Sequence, residues 1–154
     1  MQIREANNGD LTRLARLYEA SVRALGPQRY TPEQIEAWAT FARNRTAFTA
    51  KFADALCLAA EDNGEIAGFV TLEPVGVIGL LYVHPDRARQ GVGSALLTAA
   101  IDRARQAGIE RLTTIASQFS RPLFERHGFA IYQTENADYN GAIFHRYLMQ
   151  RDLR

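Results

Sequence analysis

Residues 77–107 read VIGLLYVHPDRARQGVGSALLTAAIDRARQA, and the rest of the chain is organised around this stretch. Its first seven residues are almost wholly apolar, which is typical of a strand that is covered on both faces. Pro85 ends the strand because proline lacks the amide hydrogen that a ladder needs. Apolar residues then recur at helical spacing from Val92 to Ala104. The stretch therefore predicts a buried strand, a short loop and an amphipathic helix that ends near Gly108.

The loop between this strand and helix combines glycines with positive charge. Gly91 and Gly93 have no Cβ, so an anion can approach their backbone closely. The helix points its free amide hydrogens and the positive end of its dipole at the loop, and Arg87 and Arg89 add charge. One interpretation is a phosphate site. The other is a strand-to-helix turn, with glycines that permit tight packing and arginines in solvent.

Two common phosphate-binding motifs do not fit the loop. A dinucleotide fingerprint needs a third glycine where Leu96 stands, and a P-loop needs a lysine that this loop lacks. The sequence YVHP at 82–85 followed by ARQGVGSALL at 88–97 instead resembles the acetyl-CoA-binding motif of the GNAT acetyltransferase superfamily. That motif reads R/Q-x-x-G-x-G/A after a strand that often ends V-x-P. Ala88 departs from its first position, and Arg89 and Gln90 are the neighbours that could replace the missing contact.

A second motif supports the same resemblance. RPLFERHGF at 121–129 is similar to the family's late helix and turn, often F-Y-E-K-x-G-F. The order of the other elements also matches, so the chain is identified as resembling a GNAT-type N-acetyltransferase over nearly its whole length. The resemblance implies an α/β (mixed α+β) fold with a central mixed sheet of about seven strands and about four helices. It also implies a splayed parallel strand pair in the middle of that sheet and a single acetyltransferase domain over residues 1–154.

Hydrophobic periodicity and turn residues predict the individual elements. Asp10 is predicted as a helix N-cap, and Thr31 with Gln34 forms a capping-box pattern. Asn140-Gly141 is a hairpin turn signal. Strands are predicted at 2–6, 55–61, 65–73, 77–83, 111–117, 129–134 and 142–149. Helices are predicted at 11–25, from 32 onward, at 45–53, at 91–107 and at 119–127.

Composition excludes several classes of function. The 154 residues have a net charge of +1, so there is no general basic surface for nucleic acid. Cys57 is the single cysteine and lies in an apolar run, which indicates a buried thiol and a reducing compartment. The three histidines show no metal-ligand spacing, so no metal is expected. Charged residues interrupt the start of the chain and no apolar run spans a membrane, so a cytoplasmic location without membrane association is expected.

The resemblance implies direct transfer of an acetyl group from acetyl-CoA, as co-substrate, to an amine. In the family the pantetheine lies between the two parallel strands where they splay apart, and the pyrophosphate lies on the glycine loop. The cofactor contacts implied are therefore Leu81, Tyr82 and Val83, then Arg89, Gln90, Gly91, Val92, Gly93 and Ser94, and further Ser117 and Phe124. For Ser117 a polar strand end without contact to the cofactor is an equal alternative.

The acid and base of the reaction are less clear, because two family positions are changed. Phe124 stands where many relatives have a tyrosine that protonates the thiolate, and Gly79 stands where many have a carboxylate. Tyr132 or Tyr147 could replace the acid, and Tyr147 is taken as the candidate. Glu73 is the nearest acid and the candidate base through water; a solvated strand end is its alternative.

The acceptor is expected under the first two helices. Tyr30, Gln34 and Trp38 form a Y-x3-Q-x3-W pattern similar to a subgroup of small bacterial GNAT proteins. Their aromatic rings could frame an amine, or they could simply pack the helix on the sheet. The expected acceptor is a primary amine of a small molecule or a peptide. An acyl-CoA-binding sensor or interaction module with little catalysis is the alternative function, and a homodimer through the last hairpin is a possible assembly.

Overall fold

The computed structural model describes all residues, 1–154, and contains seven strands and five α-helices. The strands are β1 (Gln2–Glu5), β2 (Leu56–Asp62), β3 (Glu65–Glu73), β4 (Val77–Val83), β5 (Arg111–Ala116), β6 (Ala130–Tyr139) and β7 (Ala142–Asp152). The helices are α1 (Leu11–Leu25), α2 (Pro32–Ala39), α3 (Arg45–Ala50), α4 (Val92–Gln106) and α5 (Arg121–Arg126). No helix is long and apolar enough to cross a membrane.

All strands belong to one mixed sheet in the order β1-β2-β3-β4-β5-β7-β6. Every neighbouring pair is antiparallel except β4 and β5, which are parallel and connected by α4. A parallel pair requires such a crossover. The expected mixed α/β fold with a central parallel pair is confirmed. The structure has five α-helices where the resemblance implied about four, and the short helix predicted at 45–53 is present as α3.

Helices cover both faces of the sheet and create two cores. On one face α4 and α5 pack on the sheet around Leu96, Leu97 and Phe124. On the other face α1, α2 and α3 pack around Leu14, Tyr18 and other apolar residues of the second core. Seven consecutive residues of β3 are buried, as expected for a strand between two helical layers.

The last hairpin is longer than its sequence pattern predicts. The Asn140-Gly141 turn is confirmed, with positive φ values of 50° and 84°. However, β6 continues to Tyr139 and β7 to Asp152, beyond the predicted ends at 134 and 149. The extra residues alternate between polar and apolar only weakly. They are held as strand because β6 and β7 pair with each other, and the end of β7 pairs with β5.

The start of α1 also differs from its prediction. Asp10 does not cap α1; a short 3₁₀ turn precedes the helix, and the Asn7 side chain caps that turn. Asp10 is buried, accepts the Asn7 backbone N–H and forms ion pairs with Arg4 and Arg13. These partners, the Arg4 guanidinium above all, hold the pKa of Asp10 well below its ordinary value. Tertiary partners on β1 thus decide the role of this carboxylate.

Candidate active site

The parallel strands β4 and β5 pair over only a short distance. Their register covers Val77 with Thr113 and Ile78 with Thr114, and the Thr114 hydroxyl donates to the Ile78 carbonyl over 2.9 Å. Beyond Ile78 the two strands separate, so the C-terminal half of β4 has no partner on that side. Gly79 is exposed although it lies on a central strand of the sheet. The sheet therefore contains a gap between the C-terminal halves of β4 and β5.

A β-bulge lies where this gap begins. Gly79 and Leu80 together oppose the single residue Thr71 of β3, and the Leu80 N–H donates to the Thr71 hydroxyl oxygen over 2.8 Å. The bulge changes the alternation of side chains along β4. Ile78 packs on the α4 side of the sheet, whereas Leu80, two residues later, packs on the α1 side.

The open edge of β4 presents unpaired backbone groups to the gap. The His84 N–H donates to the Ala67 carbonyl of the β3 side over 2.7 Å. Backbone groups alternate in direction along an antiparallel edge, so those of Leu81 and Val83 point away from β3. Since β5 has separated from β4 at this level, these groups have no strand partner. An exposed edge of this kind can pair with an extended ligand.

The glycine loop follows the end of β4 and leads into α4. Gly91 is exposed with φ of 80°, and nothing lies within 4 Å of the position that a Cβ would occupy. Gly93 has a different role, because a Cβ there would lie 3.1 Å from Leu123 of α5 and 3.6 Å from Val83. Gly91 therefore leaves open space at the helix N-terminus, as the phosphate interpretation requires, whereas Gly93 permits close packing of α4 on α5.

The polar residues of the loop also divide into two groups. Arg87 pairs with Asp62 of the β2–β3 turn over 2.6 Å. Its position in the loop sequence suggests a free guanidinium, but this ion pair holds it. Arg89 is exposed, has positive φ and makes no ion pair. Gln90 is exposed and its side chain donates to the Asp86 carbonyl over 3.3 Å. Val92 is buried, so only its backbone amide faces the loop.

Ser94, in the first turn of α4, is adjacent to a histidine that sequence reasoning missed as a site residue. The Ser94 hydroxyl lies 2.7 Å from His127 Nε2 at the end of α5. Burial lowers the pKa of His127, and Arg126 and Arg151 lower it further. Sequence spacing does not reveal this contact, because residues 94 and 127 are 33 positions apart.

The side chains of two other expected cofactor contacts, Ser117 and Phe124, have partners within the protein. The Ser117 hydroxyl accepts the N–H groups of Phe119 and Ser120 over 3.2 and 3.1 Å, so it stabilises the turn that leads into α5. Phe124 is only 2% exposed and packs edge-on against Phe129 with ring centroids 5.1 Å apart. Its side chain belongs to the core beneath α5, so the expectation that it lines the cofactor groove is corrected.

An aromatic cluster lies at the open ends of the strands on the α1 side. Tyr30 and Trp38 pack edge-on with centroids 5.5 Å apart, and both contact Phe119 and Phe144. The Trp38 indole N–H donates to the Tyr82 hydroxyl over 3.1 Å. Burial raises the pKa of Tyr82 to about 12, so this hydroxyl stays protonated. The Tyr82 side chain therefore faces the expected acceptor side, and only its backbone borders the gap.

The Gln34 side chain makes two hydrogen bonds within the protein. Its side-chain oxygen accepts the Thr31 N–H over 2.9 Å, which completes the predicted capping box. Its amide nitrogen donates to the Ile143 carbonyl of β7 over 2.7 Å. Gln34 thus attaches α2 to the last hairpin, and its contact with the acceptor stays a prediction.

The candidate base and acid occupy different faces of the sheet. A Glu73 carboxylate oxygen lies 3.3 Å from the position that a Cβ of Gly79 would occupy, beside the start of the gap. Tyr147 lies opposite Ala116 of β5 and packs on the α4 side, with the Arg121 guanidinium 4.8 Å from its ring centre. A carboxylate of β3 thus lies beside Gly79, the position at which many members of the resembled family have a carboxylate. Nowhere in residues 1–154 do three or more His, Cys, Asp or Glu side chains form a group that could hold a metal ion.

Comparisons with known proteins agree with this geometry. Residues 27–151 match the model of the acetyltransferase (GNAT) domain family. The chain is 32% identical over 150 residues to the uncharacterized N-acetyltransferase YafP of Escherichia coli K12, covering 97% of this chain and 95% of that protein. A GCN5-related N-acetyltransferase structure from Rhodopseudomonas palustris superposes with a TM-score of 0.93 at 30% identity, covering 98% of this chain and 94% of that one. PaiA N-acetyltransferase of Thermoplasma acidophilum, solved with coenzyme A, shares the fold at a TM-score of 0.78 and 20% identity, over 98% of both chains. The chain therefore belongs to the GNAT family and is an N-acetyltransferase.

Proposed function

We propose that this protein transfers the acetyl group of acetyl-CoA to a primary amine of a small molecule or a peptide by direct attack. The main support is the gap between β4 and β5, whose unpaired backbone groups lead directly to the open helix N-terminus at Gly91. The PaiA structure contains coenzyme A. A yncA structure from Salmonella typhimurium, with a TM-score of 0.69 and 20% identity over 100% of this chain and 94% of that one, contains acetyl-CoA.

The cofactor would use three kinds of group along this path. The amide-containing pantetheine arm would pair with the free backbone groups of Leu81 and Val83, as an additional strand would. The pyrophosphate would lie at Gly91, where the amides of α4 and the positive end of its dipole converge. Arg89 would add the positive charge that Arg87 cannot supply, since the Arg87 guanidinium is already paired.

The reaction needs one bond to form and one to break. The amine nitrogen attacks the thioester carbonyl carbon, the C–N bond forms, and the C–S bond breaks as the tetrahedral intermediate collapses. A cationic amine must lose one proton before it can attack and a second as the amide forms, whereas the leaving thiolate gains one. We assign Glu73, through a water molecule, to remove the proton that frees the amine lone pair and Tyr147 to protonate the thiolate, and the remaining proton leaves to solvent. The free N–H groups on the edge of β4 would stabilise the oxyanion.

The acceptor would approach from the face opposite α4. On that face the exposed Gly79 leaves space beside the Glu73 carboxylate, and Tyr30 and Trp38 lie at the open ends of the strands. A carboxylate next to aromatic rings is suited to a cationic amine. This combination supports a primary amine as the acceptor class.

Calorimetric titration with acetyl-CoA, followed by measurement of thiol release, tests the proposal. The second step uses a panel of amines, aminoglycosides, amino acids and peptides. Trp38 is the only tryptophan, so its fluorescence reports acceptors that bind next to it. Binding of acetyl-CoA with amine-dependent thiol release supports the proposal. Binding without release from any acceptor supports a sensor or interaction module, and absence of binding refutes the assignment of the gap and loop.

Domain organisation and assembly are part of the same proposal. One continuous sheet through all seven strands supports a single acetyltransferase domain over residues 1–154. β6 is an edge strand with exposed Ile131 and Tyr132, so the last hairpin is the surface we assign to a homodimer. Sedimentation of the wild type and of a Tyr132→Lys variant checks this, and a wild-type monomer at all concentrations would contradict it.

A further inference from the structure

Ser94 and His127 form a hydrogen-bonded pair beside the proposed pyrophosphate site. Ser94 lies in the first turn of α4, three residues after Gly91, and its hydroxyl is 2.7 Å from His127 Nε2. His127 lies at the end of α5, so the pair joins two helices through residues that are 33 positions apart in sequence. Neither group is fully buried, and the hydroxyl is within the turn whose amides would face the phosphate.

The chemistry of the ligand decides the direction of this hydrogen bond. Phosphate oxygens only accept hydrogen bonds at neutral pH, so the single hydroxyl hydrogen of Ser94 must point at the ligand. The Ser94 oxygen must then accept a hydrogen bond from His127 Nε2. We propose that His127 is a positioning residue for the cofactor, whose Nε2–H orients the Ser94 hydroxyl so that it donates to the pyrophosphate. This inference rests on the proposed function, because it concerns the same loop.

The backbone of His127 is held by hydrogen bonds from α5 and β7. Its N–H donates to the carbonyls of Leu123 and Phe124, which closes the last turn of α5. Its carbonyl accepts from the Arg151 guanidinium of β7 over 2.8 Å. Contacts from α5 and β7 therefore fix the backbone of His127, and its imidazole contacts Ser94 of α4.

The charged side chains that affect the pKa of His127 in the free protein are all cations. The charged groups near it are Arg126 on its own element and Arg151 on β7, whereas α4 contributes the neutral Ser94. Together with burial they hold the pKa of His127 below its ordinary value, so the free imidazole is neutral at pH 7. A bound pyrophosphate adds negative charge and favours the imidazolium.

The sign of the resulting pH dependence follows from linkage. Because the bound ligand raises the pKa of His127 relative to the free protein, binding takes up a proton as this group titrates. Affinity therefore increases as the pH falls through the pKa of the ligand-bound form towards the lower pKa of the free form, by up to about tenfold per pH unit for one proton. In the imidazolium form, Nε2 of His127 always has a hydrogen to donate to Ser94.

Calorimetry with 3′-dephospho-acetyl-CoA tests the proposal without interference from titration of the ligand's own 3′-phosphate. This analogue lacks the 3′-phosphate monoester, whose second pKa near about 6 would otherwise titrate in the same range. The Kd is measured at several pH values for the wild type, His127→Leu, His127→Gln and Ser94→Ala. His145→Gln is the matched control, since His145 is an exposed histidine on the last hairpin.

The variants are distinguished by their Kd and by whether that Kd depends on pH. His127→Leu should weaken binding about tenfold at about pH 6 and lose the pH dependence. Ser94→Ala should also weaken binding about tenfold at about pH 6, but it should keep the pH dependence because His127 still titrates beside the pyrophosphate. His127→Gln can donate from a similar position but cannot titrate, so it should keep the Kd within about threefold of the wild type at about pH 7.5 and show no pH dependence. His145→Gln should match the wild type throughout.

Two results would overturn the inference while leaving the proposed function intact. One is wild-type binding with a Kd that does not change between about pH 5.5 and 7.5. The other is a His127→Gln protein that keeps the wild-type pH dependence, because the titrating group would then be another residue. Failure of the wild type to bind either acetyl-CoA or its dephospho form refutes the proposed function itself.

Discussion

Replacement of Gly91 by glutamate is the most direct perturbation of the proposed cofactor site. Gly91 is exposed with open space around it, so the new side chain enters the volume assigned to the pyrophosphate. A carboxylate about 5 Å from one phosphate charge, at an effective dielectric constant of about 20, raises the binding free energy by about 3 kcal/mol. Kd should therefore increase more than about 100-fold. Positive φ also adds about 1–2 kcal/mol of strain for any residue with a Cβ.

Gly108→Glu is the matched control for this experiment. Gly108 has φ of 77°, against 80° for Gly91, and a Cβ there also meets nothing within 4 Å. It lies at the opposite end of α4, a helix of 15 residues and about 22 Å long. At physiological ionic strength its charge is screened over that distance. Gly108→Glu should therefore lose a similar amount of stability and keep the wild-type Kd within about twofold.

Calorimetric titration of acetyl-CoA into both variants, with urea unfolding of each, separates the two effects. If Gly91→Glu binds acetyl-CoA as tightly as Gly108→Glu does, the phosphate assignment of the loop is wrong. Equal loss of binding in both variants would show that strain in α4, and not charge at the loop, controls affinity.

Three further perturbations test other parts of the structure. Arg89→Ala should weaken acetyl-CoA binding about fivefold to tenfold, less so at high salt, whereas Arg87→Ala should change it less than about threefold because Arg87 is already paired with an aspartate; equal effects in titrations at two salt concentrations would contradict this. Glu73→Gln should lower kcat about 10- to 100-fold with an unchanged Kd, and a pH–rate profile identical to the wild type would remove Glu73 from the base role. Asp10→Asn should lower the free energy of unfolding by about 2 kcal/mol at pH 7 because it leaves a buried partner of Arg4 uncharged. Since the pKa of Asp10 is depressed in the folded state, its contribution is present above about pH 4 and is lost at lower pH, so urea curves of the two proteins should converge in acid.

Local sequence patterns predicted most of the fold. The apolar run of β4, the helical spacing of α4 and the turn at 140–141 are all visible within a few residues of sequence, because period and turn chemistry are local properties. The order of elements around the crossover then implied the parallel pair. The ends of the last hairpin were missed because pairing between strands, and not their own residue pattern, decides where they stop.

The side chains of the site were harder to predict than its backbone. Gln34 shows why, since its helical spacing suggested a shared face with Trp38, but its amide is used by the backbone of β7. Phe124 matched a family position, yet its ring is buried against Phe129. The two glycines of the loop look equivalent in sequence, and only the position of α5 shows that Gly93 serves packing.

The sequence by itself determined the glycine loop, the strand and helix that flank it, and the absence of a tyrosine and a carboxylate at two family positions. These are properties of residue identity and spacing along the chain. The tertiary structure alone decided that the separation of β4 and β5 begins after Ile78, that Glu73 lies beside Gly79, and that His127 meets Ser94. The physical reason is that each of these contacts joins elements distant in sequence, whose relative positions depend on how two cores pack against one sheet.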